Sequence, residues 1–144
     1  MSSGNWTAQA VEELEREGKR SQVRRAVVEK LGEQQCAVSA VELNELLRAD
    51  GHPVGRATVY RALERLIELG FVERLDLGVA GTRYEPARHG PGHHHHVVCE
   101  QCGDVAPFSD KGLERAITKA AGALDFDMTA HEIVLRGLCG RCKD

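Results

Sequence analysis

Two Cys-x-x-Cys pairs, Cys99–Cys102 and Cys139–Cys142, constrain this chain more than any other feature. Two intervening residues make the turn that lets both sulfurs reach one tetrahedral ion at ~2.3 Å. Gly103 and Gly140 stand beside or inside these turns and ease them. Four thiolates form a closed shell with no position for water, the pattern of a structural zinc rather than a catalytic one. The stretch from Cys102 to Cys139 is longer than in a simple zinc ribbon. Strand and helix must fill it, and the ion then ties the start of a small domain to its end. A disulfide scaffold is the competing use of paired cysteines. It is disfavoured because MSSGNWTAQAVEELEREGKR has no apolar core of a secretory signal. No stretch approaches the ~20 apolar residues of a membrane helix either, so the expected setting is the reducing cytoplasm, with no membrane partner. Cys36 stands alone and is expected to serve as a small buried apolar residue.

Four histidines run directly into the first pair, in GHHHHVVCEQC. On a strand, successive side chains point to opposite faces. His93 and His95 then point one way, and His94 and His96 the other. One short run can thus supply two imidazoles to each of two sites, and imidazole suits Zn, Fe, Ni and Cu. Glu114, in the first helical turns after Ser109, and His131, at the start of the last strand, are the candidates to join His93 and His95. Glu73, Glu85 and His89 are the candidates to join His94 and His96. That second site would draw on two domains, and an ion held there would act as a metal switch.

The first half of the chain reads as helices. In residues 7–17, Val11 and Leu14 share one side of a helix that Gly18 ends. From Ser21, Val23, Val27 and Leu31 repeat at helical spacing. Ser39-Ala-Val-Glu42 is a capping box that opens a helix running to about Asp50, with Gly51 and Pro53 as its stop. GRATVYRALERLIELG then places Val59, Leu63, Leu66 and Ile67 on one face and ends at Gly70. FVERLDL and TRYEP, joined by GVAG, read as a β-hairpin. Helices followed by a hairpin predict a winged helix-turn-helix over residues 1–86. PARHGPG supplies a hinge at 87–92, and 93–144 form a second domain of α/β type. In that domain VAPF is a strand, Ser109 caps a helix with Leu113, Ile117, Ala120 and Leu124 on one face, and HEIVLRGL is a strand delivering the last cysteines. The fold class is therefore α+β.

The formal net charge of −3 over 144 residues argues against coating nucleic acid by charge alone. A local basic cluster is nonetheless present at Arg16, Lys19, Arg20, Arg24 and Arg25. In the helix after Gly55, the core face leaves Arg56, Thr58, Tyr60, Arg61 and Arg65 exposed or flanking. Residues of these types contact phosphates and base edges, and the helix's N-terminal end is the part that enters a major groove.

Taken together, RATVYRAL (56–63), HHHHVVCEQCG (93–103) and HEIVLRGLCGRC (131–142) resemble the ferric uptake regulator superfamily of bacterial metalloregulators. The motifs occur in the family's order and span nearly the whole chain. The resemblance implies a homodimeric, metal-activated repressor with an N-terminal winged helix and a C-terminal α/β dimerisation domain. Its partner is an inverted-repeat operator in double-stranded DNA. It also implies a structural zinc at Cys99, Cys102, Cys139 and Cys142, and a site within the dimerisation domain at His93, His95, Glu114 and His131. An interdomain sensor site at His94 and His96 is implied as well. There Glu73 matches the family's acid in the wing, and His89 substitutes for a cysteine absent from PARHGPG. Glu85 matches a ligand of iron-sensing relatives, whose histidine on the earlier helix is missing at Cys36-Ala-Val-Ser39. Tyr60 and Arg61 match DNA-contacting positions, and Arg20, Arg24, Arg56 and Thr58 join them as expected contacts. The all-histidine run is most similar to the zinc uptake regulator branch, and nitrogen-rich, nearly tetrahedral sites favour Zn2+ over Fe(II). A sensor of iron, nickel or manganese is the alternative.

An enzyme is not expected. Neither cysteine pair is preceded by a Pro or by the H-x-E of zinc deaminases, and His131-Glu132 lacks the second histidine of H-E-x-x-H. A zinc hydrolase or a zinc-storage module without DNA binding remain the readings of other classes.

Overall fold

The computed structural model describes residues 4–17, 22–87 and 93–144. The chain divides into two compact units, Met1–Ala87 and Arg88–Asp144. The expected positions Gly18, Lys19, Arg20, Ser21 and His89, and residues 88–92 of the expected hinge, lie outside the described residues. No described helix is long and apolar enough to cross a membrane.

The first unit contains four helices and a hairpin: α1 (Gly4–Arg16), α2 (Gln22–Glu33), α3 (Ala40–Ala49), α4 (Arg56–Glu68), β1 (Val72–Asp76) and β2 (Thr82–Pro86). Its core is aliphatic. Val11 and Leu14 of α1 meet Val27, Val28 and Leu31 of α2, Leu43 and Leu47 of α3, and Val59, Leu63 and Leu66 of α4. Ile67 is only partly buried and packs against this cluster. α3 starts at Ser39, whose side chain accepts from the Glu42 amide at 3.0 Å. The expected capping box is formed by half. The Glu42 carboxylate is engaged by Arg83 of β2, with Nη atoms at 3.2 and 3.3 Å, because a guanidinium offers a charged two-point partner. Gly51 and Gly70 follow α3 and α4 at φ +83°, where a Cβ would be strained. β1 and β2 pair antiparallel through a short 3-10 turn at Gly78–Ala80. The Val38–Tyr84 bridge fastens this wing to the segment entering α3. These features make the unit a winged helix-turn-helix, with α3 and α4 as its helical pair.

The second unit contains β3 (His95–Cys99), β4 (Val105–Phe108), α5 (Lys111–Ala123) and β5 (Val134–Gly137). The sheet order is β4-β3-β5, with β3 antiparallel to β4 and parallel to β5. A parallel neighbour demands a crossover, which α5 supplies. The helix is capped by Asp110 rather than Ser109: the Asp110 carboxylate accepts from the Leu113 amide at 2.9 Å, and an anion suits a helix N-terminus. Leu113 and Ile117 are half-buried, while Ala120 and Leu124 are exposed, so the expected apolar face of α5 is not filled within one chain. Cys36 is half-buried rather than buried.

Candidate metal centres and nucleic-acid face

One register builds both clusters of the second unit. β3 and β5 pair with His96 beside Val134 and Cys99 beside Gly137. At the far end, Cys99 ends its strand and Glu100 donates to the Gly137 carbonyl at 2.8 Å. The chain then turns tightly, with Gly103 at φ +76° and its amide on the Cys99 carbonyl at 2.9 Å. Two residues past Gly137, Cys139 opens a second such turn, in which Cys142 donates to the Cys139 carbonyl at 3.0 Å. The four sulfurs are thereby gathered within 4.8 Å of one another. Cys102 and Cys139 have Sγ atoms 3.8 Å apart. That equals the ~3.8 Å edge of a tetrahedron whose centre lies ~2.3 Å from each sulfur. The donor set and its geometry fit zinc.

Two of the four thiols are biased toward the thiolate form that binds a metal. Backbone N–H groups of Cys102 and Cys139 point at Cys99 Sγ, at 3.5 and 3.4 Å, and hold its pKa down to about 6. Cys139 is lowered too, first by a backbone N–H of Arg141. Cys142 is pushed up to about 12, chiefly because its S–H is held by Cys139.

At the opposite end of the same strand pair, His93 and His131 stand abreast, 38 residues apart in sequence, with their Nε2 atoms at 3.2 Å. Glu114 reaches them from the first turn of α5. Its Oε1 lies 2.5 Å from His95 Nε2 and its Oε2 2.5 Å from His131 Nε2. All four ligand atoms fall within 4.8 Å. His95 is almost fully enclosed, at 1% exposure. Burial alone would raise the Glu114 pKa, but the imidazoles of His95 and His131 outweigh it and leave the carboxyl below its ordinary value. Three nitrogens and one carboxylate thus converge on a common centre, and this set also fits zinc. His131 precedes β5 by three residues instead of beginning it. A loop position lets the ring turn toward Glu114, which a sheet residue's fixed alternation would restrict.

His94 and His96 point away from this cluster and form their own pair, ring centroids 4.9 Å apart. His96 is 1% exposed. Glu73 and Glu85 face each other as register partners across the wing hairpin, Glu73 half-buried and Glu85 buried.

On α4, Arg56, Tyr60 and Arg61 are exposed, and Arg61 Nη2 donates to the half-buried Thr58 Oγ1 at 3.4 Å. Arg65 is engaged elsewhere: its Nε donates to Glu17 at 2.7 Å and its Nη1 to Glu68 at 2.7 Å. The Arg24 side chain is 22% exposed and lies 3.8 Å from the same Glu17. Sequence reasoning missed two residues that shape this face. Arg83 clasps the wing to α3 through Glu42 and the Ala37 carbonyl. Asn44 is buried within the helical pair. Asn44 was visible as a polar residue in the apolar stripe Ala40, Leu43, Leu47. Arg83 carried no local signal, since its partner Glu42 is 41 residues away.

Residues 15–136 match the Ferric uptake regulator family. Among curated relatives, the ferric uptake regulation protein of Bacillus subtilis is 34% identical over 106 residues, spanning 73% of this chain and 71% of that protein. The peroxide-responsive repressor PerR of Staphylococcus aureus is 30% identical over 121 residues, spanning 84% of this chain and 80% of PerR. A crystal structure of the ferric uptake regulator Fur of Vibrio cholerae superposes with a TM-score of 0.76 at 32% identity, covering 89% of this chain and 98% of that one.

Proposed function

This chain belongs to the ferric uptake regulator family and is a metal-responsive transcriptional regulator; from that premise we propose that it is a zinc-activated repressor of metal uptake genes. The observation that carries the zinc reading is the histidine run itself. His93 and His95 contribute to a cluster of three nitrogens and one carboxylate, and His94 and His96 add a further imidazole pair. So nitrogen-rich a donor supply suits zinc better than the oxygen-richer sites that hold Fe(II) or Mn. The cysteine cluster holds a structural zinc. His94 and His96 form the regulatory pair, and an ion bound there raises operator affinity.

The operator is double-stranded DNA with inverted repeats, read by two copies of α4 through Arg56, Thr58, Tyr60 and Arg61. Two copies are supported by the second unit, which leaves Val97, Leu124, Phe126, Leu135 and Leu138 exposed. Apolar surface of this extent on a small unit marks a protein interface.

The test is an anaerobic DNA-binding titration. Exchangeable metal is removed from the purified protein, and Zn, Fe(II), Ni and Mn are added back separately against a random duplex pool. Zinc alone is expected to restore tight, sequence-selective binding, and His96→Ala is expected to remain a folded dimer with weak operator affinity. Restoration by Fe(II), Ni or Mn instead replaces the metal assignment. DNA binding indifferent to every metal sinks the repressor reading and leaves zinc storage or hydrolysis. Unchanged operator affinity in His96→Ala removes that residue from the switch.

A further inference from the structure

The helix that would read DNA enters its groove from a turn that its own sequence does little to hold. α4 is preceded by Gly55, which has no side chain to cap it. Its first turn hangs from the Gly55 carbonyl, which accepts from Thr58 and Val59 at 3.1 and 3.2 Å. Upstream, the chain leaves α3 with Asp50, Gly51 and His52 bonded back to Leu46, Arg48 and Leu47. Next comes Pro53, which has no N–H to give. The peptide that joins this exit to Gly55 is that of Val54. Its side chain is seated in the core, and its carbonyl accepts from Asn44 Nδ2 at 2.6 Å.

Asn44 sits on α3 in the core stripe with Ala40, Leu43 and Leu47, and is 4% exposed. An apolar residue would fill this position without a desolvation cost. An amide is worth burying there only if its hydrogen bond does something that packing cannot. A core contact fixes where Val54 lies but leaves its peptide plane free to rotate. The Asn44 bond restrains the plane of the peptide that leads into Gly55, whose carbonyl starts α4.

We propose that Asn44 is a positioning residue for operator recognition: by holding the Val54 carbonyl, it sets the direction of the first turn of α4 and so places Arg56, Thr58, Tyr60 and Arg61 against base edges. The proposal deepens the reading of α4 as the DNA-contacting helix and rests on it.

The test compares the metal-loaded full chain with Asn44→Leu and Asn44→Asp. Leu keeps the branching and the number of heavy atoms and removes the donor; Asp keeps the shape and sets a carboxylate against the carbonyl. The probes are a duplex selected from a random pool by the wild-type protein and a scrambled duplex of the same length, at one salt concentration. A residue with only a structural role lowers the folded fraction, which weakens binding to both duplexes by the same factor. Mispositioned side chains weaken only the selected duplex, because phosphate contacts tolerate small shifts and base contacts do not. The expected result is a fall in the selected-to-scrambled affinity ratio of about tenfold or more, the worth of one good base contact. An unchanged ratio in Asn44→Leu overturns the proposal. Should both variants unfold, the wild-type protein decides. The Asn44 side-chain amide protons are expected to exchange far more slowly than those of exposed asparagines, and fast exchange overturns the proposal. Failure of the wild-type protein to select any duplex overturns instead the DNA-binding reading beneath it.

Discussion

At the scale of single residues, the cysteine cluster shows how unequal chemically identical thiols become once folded. Cys99 collects backbone N–H groups, chiefly those of Cys102 and Cys139, and is held at about 6, so it is a thiolate at neutral pH. Cys142 gives its S–H to Cys139 and is pushed up to about 12, so it keeps its proton there. Zinc bound there would have to displace that proton, since only thiolate binds the metal. Each displaced proton makes affinity rise about tenfold per pH unit. A raised thiol pKa weakens metal binding at low pH, and the penalty is progressively relieved as pH rises. Zinc competition with a chromophoric chelator between pH 6.5 and 8.0 should therefore show affinity climbing with pH. Calorimetry in buffers of different ionisation heat should register proton release. The Cys142→Ser variant should show a shallower slope as well as weaker binding. A wild-type affinity flat across that range contradicts the assignment of Cys142 as a protonated ligand.

At the scale of elements, close approach of α1 to α2 hinges on a missing side chain. A Cβ built on Gly32 of α2 would lie 2.7 Å from Thr7 Cγ2 of α1, inside van der Waals contact. In the last turn of α2, alanine would gain at most about 1 kcal/mol over glycine. Overpacking against a stiff β-branched neighbour costs about 1–3 kcal/mol and wins. Gly32→Ala is expected to lower the melting temperature of the winged-helix unit by about 5 °C. The double variant Gly32→Ala with Thr7→Ser should recover most of it, because serine lacks the offending methyl. A higher melting temperature in the single variant would show that α1 simply moves aside. Nothing in the sequence marks Gly32 as a contact, since its neighbour is 25 positions away; by contrast Val59, Leu63 and Leu66 announced their buried face through spacing alone. The same division runs through the metal-binding unit. Alternation along an extended run separates His93 and His95 from His94 and His96 in the sequence, although β3 itself begins only at His95. It could not say that Asp110 rather than Ser109 caps α5, because either residue can cap and only the backbone angle chooses. Nor could it place His131 ahead of its strand, a boundary fixed by pairing with β3 rather than by local pattern.

At the scale of the whole molecule, the two units hold together by different means. The winged helix buries a continuous aliphatic core. Among the described residues of the second unit, by contrast, the buried side chains are Val98, Cys99, His95 and His96. So few apolar groups cannot offset the chain entropy of a small domain, which then needs metal or a partner subunit. A structural zinc can supply on the order of 10 kcal/mol of folding free energy. Its position would give it a second consequence. The β3–β5 register that brings Cys99 to Gly137 is the one that sets His93 abreast of His131. Pinning one end of that pair therefore assembles the site at the other. The dependence should be one-sided. Cys139→Ser is expected to lose zinc from the cysteine cluster and, with the register released, from His93, His95, Glu114 and His131 as well. His131→Ala leaves the cysteine turns intact and should lose metal only at its own site. Cobalt substitution distinguishes the cases, because sulfur-rich and nitrogen-rich tetrahedral sites absorb at different wavelengths. Both bands should vanish in Cys139→Ser, while the thiolate band alone should survive in His131→Ala. A Cys139→Ser protein that keeps a full-strength nitrogen-site band would show that helix α5 and the histidines can organise their centre without the zinc-pinned register.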